Sequence, residues 1–122
     1  MKRIDWQRML LVDDETEVRE CFVMLLERAG ATVIEAPSGA RALELYRSET
    51  LDCVVTDYNM PEMKGDALAR AIKSIQPTQR VVVLSGFLGH LRVDGRYPAC
   101  FDAVLAKPCS IDELVTAIAG GC

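Results

Sequence analysis

The sequence predicts an α/β fold in which helices cover both faces of a five-stranded, doubly wound parallel sheet. Short apolar runs of four to six residues alternate with segments whose apolar residues recur every three or four positions. Five such runs occur, and the segments between them are long enough for crossover helices. With 122 residues, half of them apolar, the chain fits one domain that buries its own core.

The N-terminal part of the chain contains the clearest strand and helix signals. Residues 9–12 form an apolar run that predicts the first strand. A helical stripe of apolar residues follows, and Gly30 stands where that helix would end. Residues 32–36 predict a half-exposed second strand, and Pro37 with Ser38 opens a second helix. The stripe of the first helix consists of Val18, Cys21, Phe22, Leu25, Leu26 and Ala29.

Three more strands are predicted at residues 51–56, 81–84 and 103–106. The run at 81–84 is wholly apolar, as expected of a strand that helices cover on both faces. Between the third and fourth strands, a third helical stripe ends before Pro77. Its members are Leu68, Ala71, Ile72 and Ile75.

The segment between the last two strands has a weak helical signal. Residues 86–99 contain three glycines and Pro98, which oppose a long helix, so any helix there is predicted to be short or mobile. After the fifth strand, Ser110 and Glu113 have the spacing of a capping box. This pair predicts the start of the last helix.

Composition excludes several classes of function. The formal charge of −4, with Lys and Arg scattered, opposes direct nucleic-acid binding. No window approaches the ~20 apolar residues that span a bilayer, and no signal peptide is recognisable, so we expect no membrane insertion and a cytoplasmic location. The cysteines are odd in number and lack C-x-x-C spacing, which predicts mostly small core residues in a reducing compartment. They are Cys21, Cys53, Cys100, Cys109 and Cys122.

Five polar residues stand just after predicted strands: Asp13 and Asp14 after the first, Asp57 after the third, Ser85 after the fourth and Lys107 after the fifth. Carboxyl ends of parallel strands meet at one edge of a sheet, where ligands bind, so we expect these residues to converge. Neighbouring carboxylates raise one another's pKa unless a cation compensates them. The sequence therefore predicts a site for Mg²⁺ or Mn²⁺.

Such a site suits phosphoryl transfer. A hard metal ion that the protein coordinates incompletely leaves room for a phosphate oxygen, and Lys107 and Ser85 would stabilise the remaining charge of the phosphoryl group. Asp13 and Asp14 are adjacent and suit the metal, whereas Asp57 is alone at its strand end. Asp57 is therefore the better candidate for the nucleophile.

The sequence resembles the receiver domains of two-component response regulators over residues 9–118. The resemblance implies a flavodoxin-like (βα)5 fold with strand order 2-1-3-4-5. It further implies a single receiver domain at residues 1–122, with residues 1–7 as an N-terminal extension and no output domain. The matching motifs are Leu11-Val12-Asp13-Asp14-Glu15, Thr56-Asp57-Tyr58-Asn59-Met60-Pro61-Glu62-Met63-Lys64-Gly65, Leu84-Ser85-Gly86 and Lys107-Pro108.

The resemblance also implies a role for each site residue. Asp57 would accept a phosphoryl group from a histidine kinase or a histidine phosphotransfer protein. Asp14, Asp57 and the backbone carbonyl of Asn59 would bind the metal, and Asp13 would act largely through a water. Ser85 and Lys107 would bind phosphoryl oxygens, with a cis bond from Lys107 to Pro108. The chain would be a regulatory phosphoacceptor rather than an enzyme, assisting its own phosphorylation and dephosphorylation.

Phosphorylation would change binding to a downstream protein partner or promote a dimer. Two departures from the family pattern affect how it would do so. Val104 stands where receivers usually carry an aromatic residue that rotates when the domain is phosphorylated, and Cys109 stands where Phe is common. The motif around Ser85 and Phe87 resembles receivers attached to hybrid sensor kinases, so a stand-alone receiver and a piece of a larger protein both remain open.

Two other functions remain open. One is a receiver-like binding module that acts independently of phosphorylation, which Val104, Cys109 and the weak helical signal of residues 86–99 favour. The other is a Mg²⁺-dependent phosphohydrolase with an aspartyl nucleophile, similar to haloacid dehalogenases. Those enzymes place two aspartates two residues apart after the first strand, whereas Asp13 and Asp14 are adjacent. This spacing disfavours the hydrolase.

Overall fold

The fold was obtained as a computed structural model that describes residues 4–5, 7–92 and 95–120. Strands and α-helices alternate along the chain, and a short 3₁₀ turn, Leu88–Leu91, stands between the last two strands. The strands are β1 Arg8–Val12, β2 Thr32–Ala36, β3 Cys53–Asp57, β4 Arg80–Ser85 and β5 Ala103–Ala106. The helices are α1 Thr16–Arg28, α2 Gly39–Ser48, α3 Gly65–Ile75 and α4 Ile111–Ile118.

All five strands are parallel and lie in the order β2-β1-β3-β4-β5. The predicted fold class and strand order are confirmed. β3 is buried along its whole length and β4 along all but its first residue, because helices cover both faces of the central strands. β2 and β5 form the two edges of the sheet and are only partly buried.

The core consists of two layers, one on each face of the sheet. Alternate residues of a strand point to opposite faces, so Leu11 and Leu10 of β1 belong to different layers. One layer packs α1 and α4 against the sheet, with Leu26 and Leu114 fully buried. The other packs α2 and α3 against the opposite face. This second layer contains Ala42, Tyr46, Leu68, Ala69 and Ile72.

Three of the predicted helix boundaries are confirmed. The Ser38 hydroxyl accepts a hydrogen bond from the Arg41 N–H at 3.2 Å and begins α2. Ser110 and Glu113 form the predicted capping box at the start of α4. Gly30 follows the C-cap of α1 with a φ of +105°, a backbone conformation that glycine adopts without strain.

The segment between β4 and β5 contains a helix of four residues, Leu88–Leu91, which agrees with the prediction of a short one. Leu91 is buried and packs in the layer of α2 and α3, as does Phe101. Tyr97 and Val104 are partly buried against the same layer. Residues 93 and 94 lie outside the described residues.

The structure refines three further predictions. β3 and β4 each end one residue later than expected, at Asp57 and Ser85, because strand pairing continues through them, and β3 begins at Cys53 rather than at residue 51. Ile4, within the predicted N-terminal extension, is 3% exposed and packs in the layer of α1 and α4. Cys21 was expected in the core stripe of α1, yet it is exposed.

The other cysteines follow the core prediction to different degrees. Cys53 is buried, Cys100 and Cys109 pack partly buried against the core, and Cys122 lies outside the described residues. All four described cysteines are free thiols. No helix among residues 4–5, 7–92 and 95–120 is both long and apolar enough to cross a membrane.

Candidate functional site

Three carboxylates converge at the carboxyl ends of β1 and β3. The two strands pair directly, so Asp13, just after β1, and Asp57, the last residue of β3, become neighbours. One carboxylate oxygen from each of Asp13, Asp14 and Asp57 can be chosen so that all three lie within 4.8 Å of one another. Asp13 is 1% exposed and Asp57 is 6% exposed, whereas Asp14 faces solvent. The predicted convergence of these acids is therefore observed.

Lys107 supplies a positive charge to this cluster. Its Nζ lies 3.3 Å from Asp13 Oδ2 and 3.3 Å from Asp57 Oδ1. The backbone N–H of Lys107 donates a hydrogen bond of 2.8 Å to the backbone carbonyl of Ser85, which ties the end of β5 to the end of β4. The bond between Lys107 and Pro108 is cis, as expected. One ammonium group thus contacts carboxylates at the ends of two different strands, β1 and β3.

The electrostatics of the cluster are those of a site short of positive charge. Burial raises the pKa of Asp57 above its ordinary value; the ammonium of Lys107 opposes this rise, and the carboxylates of Asp13 and Asp14 add to it. Burial alone would lower the pKa of Lys107, but the charges of Asp57 and Asp13 outweigh it and the pKa is raised. Lys107 is therefore held protonated, while the ionised form of Asp57 is less favoured than it would be in water.

The donor set fits a hard divalent cation. Three carboxylates and one ammonium give the cluster a formal charge of about −2 when all are ionised, which a divalent ion would balance. Carboxylate oxygens are the ligands that Mg²⁺ and Mn²⁺ prefer. The exposure of Asp14 leaves one side of the cluster open to water or to a phosphate oxygen.

The loop that follows Asp57 is closed by a tight contact with the start of α3. The Gly65 N–H donates a hydrogen bond of 2.8 Å to the Tyr58 carbonyl. A Cβ at position 65 would lie 2.7 Å from the Asp57 carbonyl oxygen and 2.9 Å from Tyr58 Cα. Only glycine allows this approach. The exposed Asn59 side chain accepts a hydrogen bond from Lys64 Nζ at 3.2 Å.

Ser85 lies at the end of β4, beside β3, and is 1% exposed. Its hydroxyl oxygen accepts a hydrogen bond from the Phe87 N–H at 3.2 Å. Phe87 itself is 59% exposed, although it is a large apolar side chain. The structure thus places Ser85 at the same sheet edge as the carboxylates, with an exposed aromatic ring next to it on the loop.

Two residues of the site have roles that the sequence did not predict. Gly65 belongs to one of the matching motifs, but nothing in the local sequence indicates why glycine is needed there. Arg19 lies in none of the motifs, yet its guanidinium donates a hydrogen bond of 2.8 Å to the Asp13 carbonyl. An arginine on the polar side of a helix gives no pattern that would reveal this contact.

The fold and this site define a class of protein, and comparison with known proteins agrees with it. The family model described as the response regulator receiver domain matches residues 9–119. The chain belongs to this family. Proteins of the family are regulatory signalling domains of two-component systems, and the resemblance inferred from the sequence is confirmed.

Particular relatives fall into two groups. The response regulator receiver protein CpdR of Brucella abortus is 37% identical over 114 residues, which cover 92% of this chain and 93% of CpdR. The sensor kinase CckA of the same organism is 36% identical over 117 residues, which cover 90% of this chain and 12% of CckA. The chain thus matches nearly the whole of one relative and a small part of the other.

Among solved structures, the response regulator TrrA of Thermotoga maritima was crystallised in complex with Mg²⁺ and beryllofluoride. It superimposes with a TM-score of 0.81 and 30% sequence identity, covering 88% of this chain and 92% of TrrA. The likeness therefore extends over almost the whole of both chains.

Proposed function

We propose that the chain is a phosphorylation-dependent switch in which Asp57 accepts a phosphoryl group from a histidine kinase or a histidine phosphotransfer protein. The observation that carries this proposal is the contact of Lys107 with both Asp57 and Asp13 inside a cluster of three carboxylates. A buried carboxylate that stands beside an ammonium group and a candidate cation site has the surroundings that phosphoryl transfer needs.

The transfer itself is a displacement at phosphorus. A carboxylate oxygen of Asp57 forms a bond to phosphorus as the bond from phosphorus to the donor histidine nitrogen breaks, and the electron pair of that bond stays with the imidazole. Lys107 Nζ, already 3.3 Å from Asp57 Oδ1, would shift its hydrogen bonds to a phosphoryl oxygen. The hydroxyl of Ser85, at the neighbouring strand end, would donate to another.

Asp13, Asp14 and Asp57 would hold Mg²⁺ or Mn²⁺, together with the backbone carbonyl of Asn59. A bound divalent ion would neutralise the charge that spreads over the transferred group. Support comes from the carboxylate oxygens that lie within 4.8 Å of one another, and from the Mg²⁺ and beryllofluoride bound by the relative TrrA. Asp13 would act largely through a water.

The phosphorylated domain would change its binding to a downstream protein partner, with dimer formation as another outcome. Residues 9–119 would act as one receiver unit, either alone, as the near-complete match to CpdR suggests, or within a larger protein, as in the match to CckA. We place the protein in the cytoplasm, where its kinase would meet it.

Binding of beryllofluoride tests the proposed site. This anion mimics a phosphoryl group on a carboxylate, and fluorine NMR reports the bound form. We expect a bound signal with Mg²⁺ that disappears when a chelator is added and is absent in Asp57→Ala. Asp112→Ala removes an exposed carboxylate of α4 and should leave the signal unchanged. A signal that persists in Asp57→Ala would contradict the proposal.

A phosphate-independent binding module is the second candidate. It is favoured by Val104, which stands on β5 without an aromatic ring, and by the 3₁₀ turn Leu88–Leu91 between β4 and β5. The two functions differ in what beryllofluoride does to partner binding. A switch changes its affinity for the partner when Mg²⁺ and beryllofluoride are bound, whereas a constitutive module binds equally well with and without them.

A further inference from the structure

We propose that Arg19, held by Glu35, is a positioning residue that orients the loop carrying Asp13 and Asp14 toward the metal. The inference rests on the proposed function, because it assumes that these aspartates hold Mg²⁺ or Mn²⁺. Arg19 lies in the first turn of α1, and its side chain is only 12% exposed. It is therefore enclosed between the helix and the sheet edge rather than free in solvent.

The guanidinium of Arg19 makes two hydrogen bonds in different directions. Nη1 donates to the backbone carbonyl of Asp13 at 2.8 Å. Nε donates to Glu35 Oε1 at 2.9 Å, which is also an ion pair. Arginine presents its donors in a rigid planar fork, so the two contacts hold the Asp13 carbonyl in one position relative to Glu35 of β2. Lysine has a single ammonium on a flexible stem and cannot reproduce the same geometry.

These contacts fasten the loop to the edge strand β2 at two consecutive residues. The Asp13 N–H donates a hydrogen bond of 3.2 Å to the carbonyl of Ala36. The Asp13 carbonyl is tied through Arg19 to Glu35, the residue before Ala36. Both backbone polar groups of Asp13 are thus anchored to the end of β2, although Asp13 itself continues β1.

The side chain of Asp13 depends on this backbone anchor. Its Oδ1 accepts a hydrogen bond from the Glu15 N–H at 2.9 Å, and its Oδ2 contacts Lys107 Nζ at 3.3 Å. Asp14 follows directly and faces solvent. If the Asp13 carbonyl turned away, both carboxylates would move relative to Asp57. Groups that orient metal ligands from outside commonly cost 10–100-fold in metal affinity when removed.

Mg²⁺ titration by calorimetry tests the inference on the intact chain. We expect Arg19→Ala to weaken Mg²⁺ binding by about tenfold or more, and Arg19→Lys to recover part of the loss. Glu35→Ala leaves the arginine in place without its anchor, so it should weaken binding by a smaller factor. Arg41→Ala is the matched control, because Arg41 forms a comparable ion pair with Glu44, at 3.1 Å, on the exposed side of α2. The Mg²⁺ affinity of the Arg41→Ala variant should match that of the wild type.

A second readout does not involve the metal. In the metal-free protein, the Glu15 amide should exchange its hydrogen faster in Arg19→Ala than in Arg41→Ala, since the loop that accepts its hydrogen bond is released. If Arg19→Ala does not fold, Glu35→Ala carries both measurements. Wild-type Mg²⁺ affinity in a folded Arg19→Ala protein, or in Glu35→Ala where that replaces it, would overturn the inference. Failure of the wild type to bind Mg²⁺ would instead overturn the proposed function.

Discussion

Lys107 and Asp57 form an ion pair of 3.3 Å across the carboxyl edge of the sheet, and the same ammonium lies 3.3 Å from Asp13. The ammonium group of Lys107 therefore pairs with two buried carboxylates, and a third carboxylate, that of Asp14, lies close to them. Burial, with a smaller contribution from the two neighbouring carboxylates, raises the pKa of Asp57 even though Lys107 opposes the rise. The excess of carboxylates over positive charge in this cluster is the physical basis on which the metal site and the phosphoryl acceptor are proposed.

The first prediction concerns the stability of Asp57→Asn without divalent ions. Burial is the largest cause of the raised pKa of Asp57, so the ionised carboxylate destabilises the folded state. When an acid has a higher pKa in the folded than in the unfolded state, the free energy of unfolding falls as the pH rises from the unfolded-state pKa to the folded-state pKa. The loss is about 1.4 kcal/mol for each pH unit that separates the two pKa values. We expect Asp57→Asn to raise the free energy of unfolding at pH 7.

The same comparison at acid pH provides the control. At a pH of about 3, below the ordinary aspartate pKa of ~3.9, Asp57 is protonated in both states and the advantage of the asparagine should disappear. Urea unfolding at both pH values measures this difference. A variant that is less stable than the wild type at pH 7 would contradict the prediction.

The second prediction concerns addition and removal of the metal. A cation that binds only the folded state stabilises it by mass action, by about 2.7 kcal/mol at a concentration one hundred times its Kd. Mg²⁺ should therefore raise the melting temperature of the wild type, and a chelator should reverse the rise. Asp57→Asn should lose most of this response, while Asp112→Ala should keep it. An equal rise in all three proteins would indicate non-specific ion binding.

The third prediction compares two glycines near the site. Gly65→Ala places a Cβ 2.7 Å from the Asp57 carbonyl oxygen, so the loop or α3 must shift, at a cost of about 1–3 kcal/mol in unfolding free energy. Because the shifted backbone belongs to Asp57, the rate at which Asp57 is phosphorylated should also fall. Gly86→Ala meets no heavy atom within 4 Å and should change stability by less than about 0.5 kcal/mol. Equal stability of the two variants would show that the close approach is unimportant.

The fourth prediction concerns Glu62, an exposed residue with a φ of +67° in the loop after Asp57. A side chain in this left-handed region is strained, and glycine is not. Relief of this strain, about 1–3 kcal/mol, outweighs the greater backbone entropy that glycine loses on folding, so Glu62→Gly should raise the free energy of unfolding. Glu44→Gly, also exposed but within α2, should lower it by about 1 kcal/mol. Chemical denaturation distinguishes them, and two changes of the same sign would contradict the prediction.

The convergence of the acids was predictable because topology alone enforces it. Once residues 9–12 and 51–56 are interpreted as buried parallel strands, the residues after them must meet at one edge of the sheet. The ends of β2 and β5 were also predicted correctly, since Pro37 and Lys107 interrupt the runs. The ends of β3 and β4 were not, because Asp57 and Ser85 are polar yet still pair with neighbouring strands.

Contacts that depend on tertiary packing were beyond the sequence. Arg19 reaches the Asp13 carbonyl because α1 packs back against one face of the sheet, and no local pattern records that. Cys21 lies at one margin of its helical stripe, and the stripe does not tell how wide a face the sheet covers. Similarly, the close approach of Gly65 to Tyr58 follows from the path of the whole loop.

Phosphorylation by a small donor tests the central claim most directly. The wild-type chain, incubated with acetyl phosphate and Mg²⁺ and measured promptly by intact-protein mass spectrometry, should gain the mass of one phosphoryl group. Asp57→Ala should gain none, and a chelator should prevent the gain in the wild type. A wild type that stays unmodified with Mg²⁺, or an Asp57→Ala protein that is modified to the same extent, would contradict the assignment of Asp57 as the phosphoacceptor.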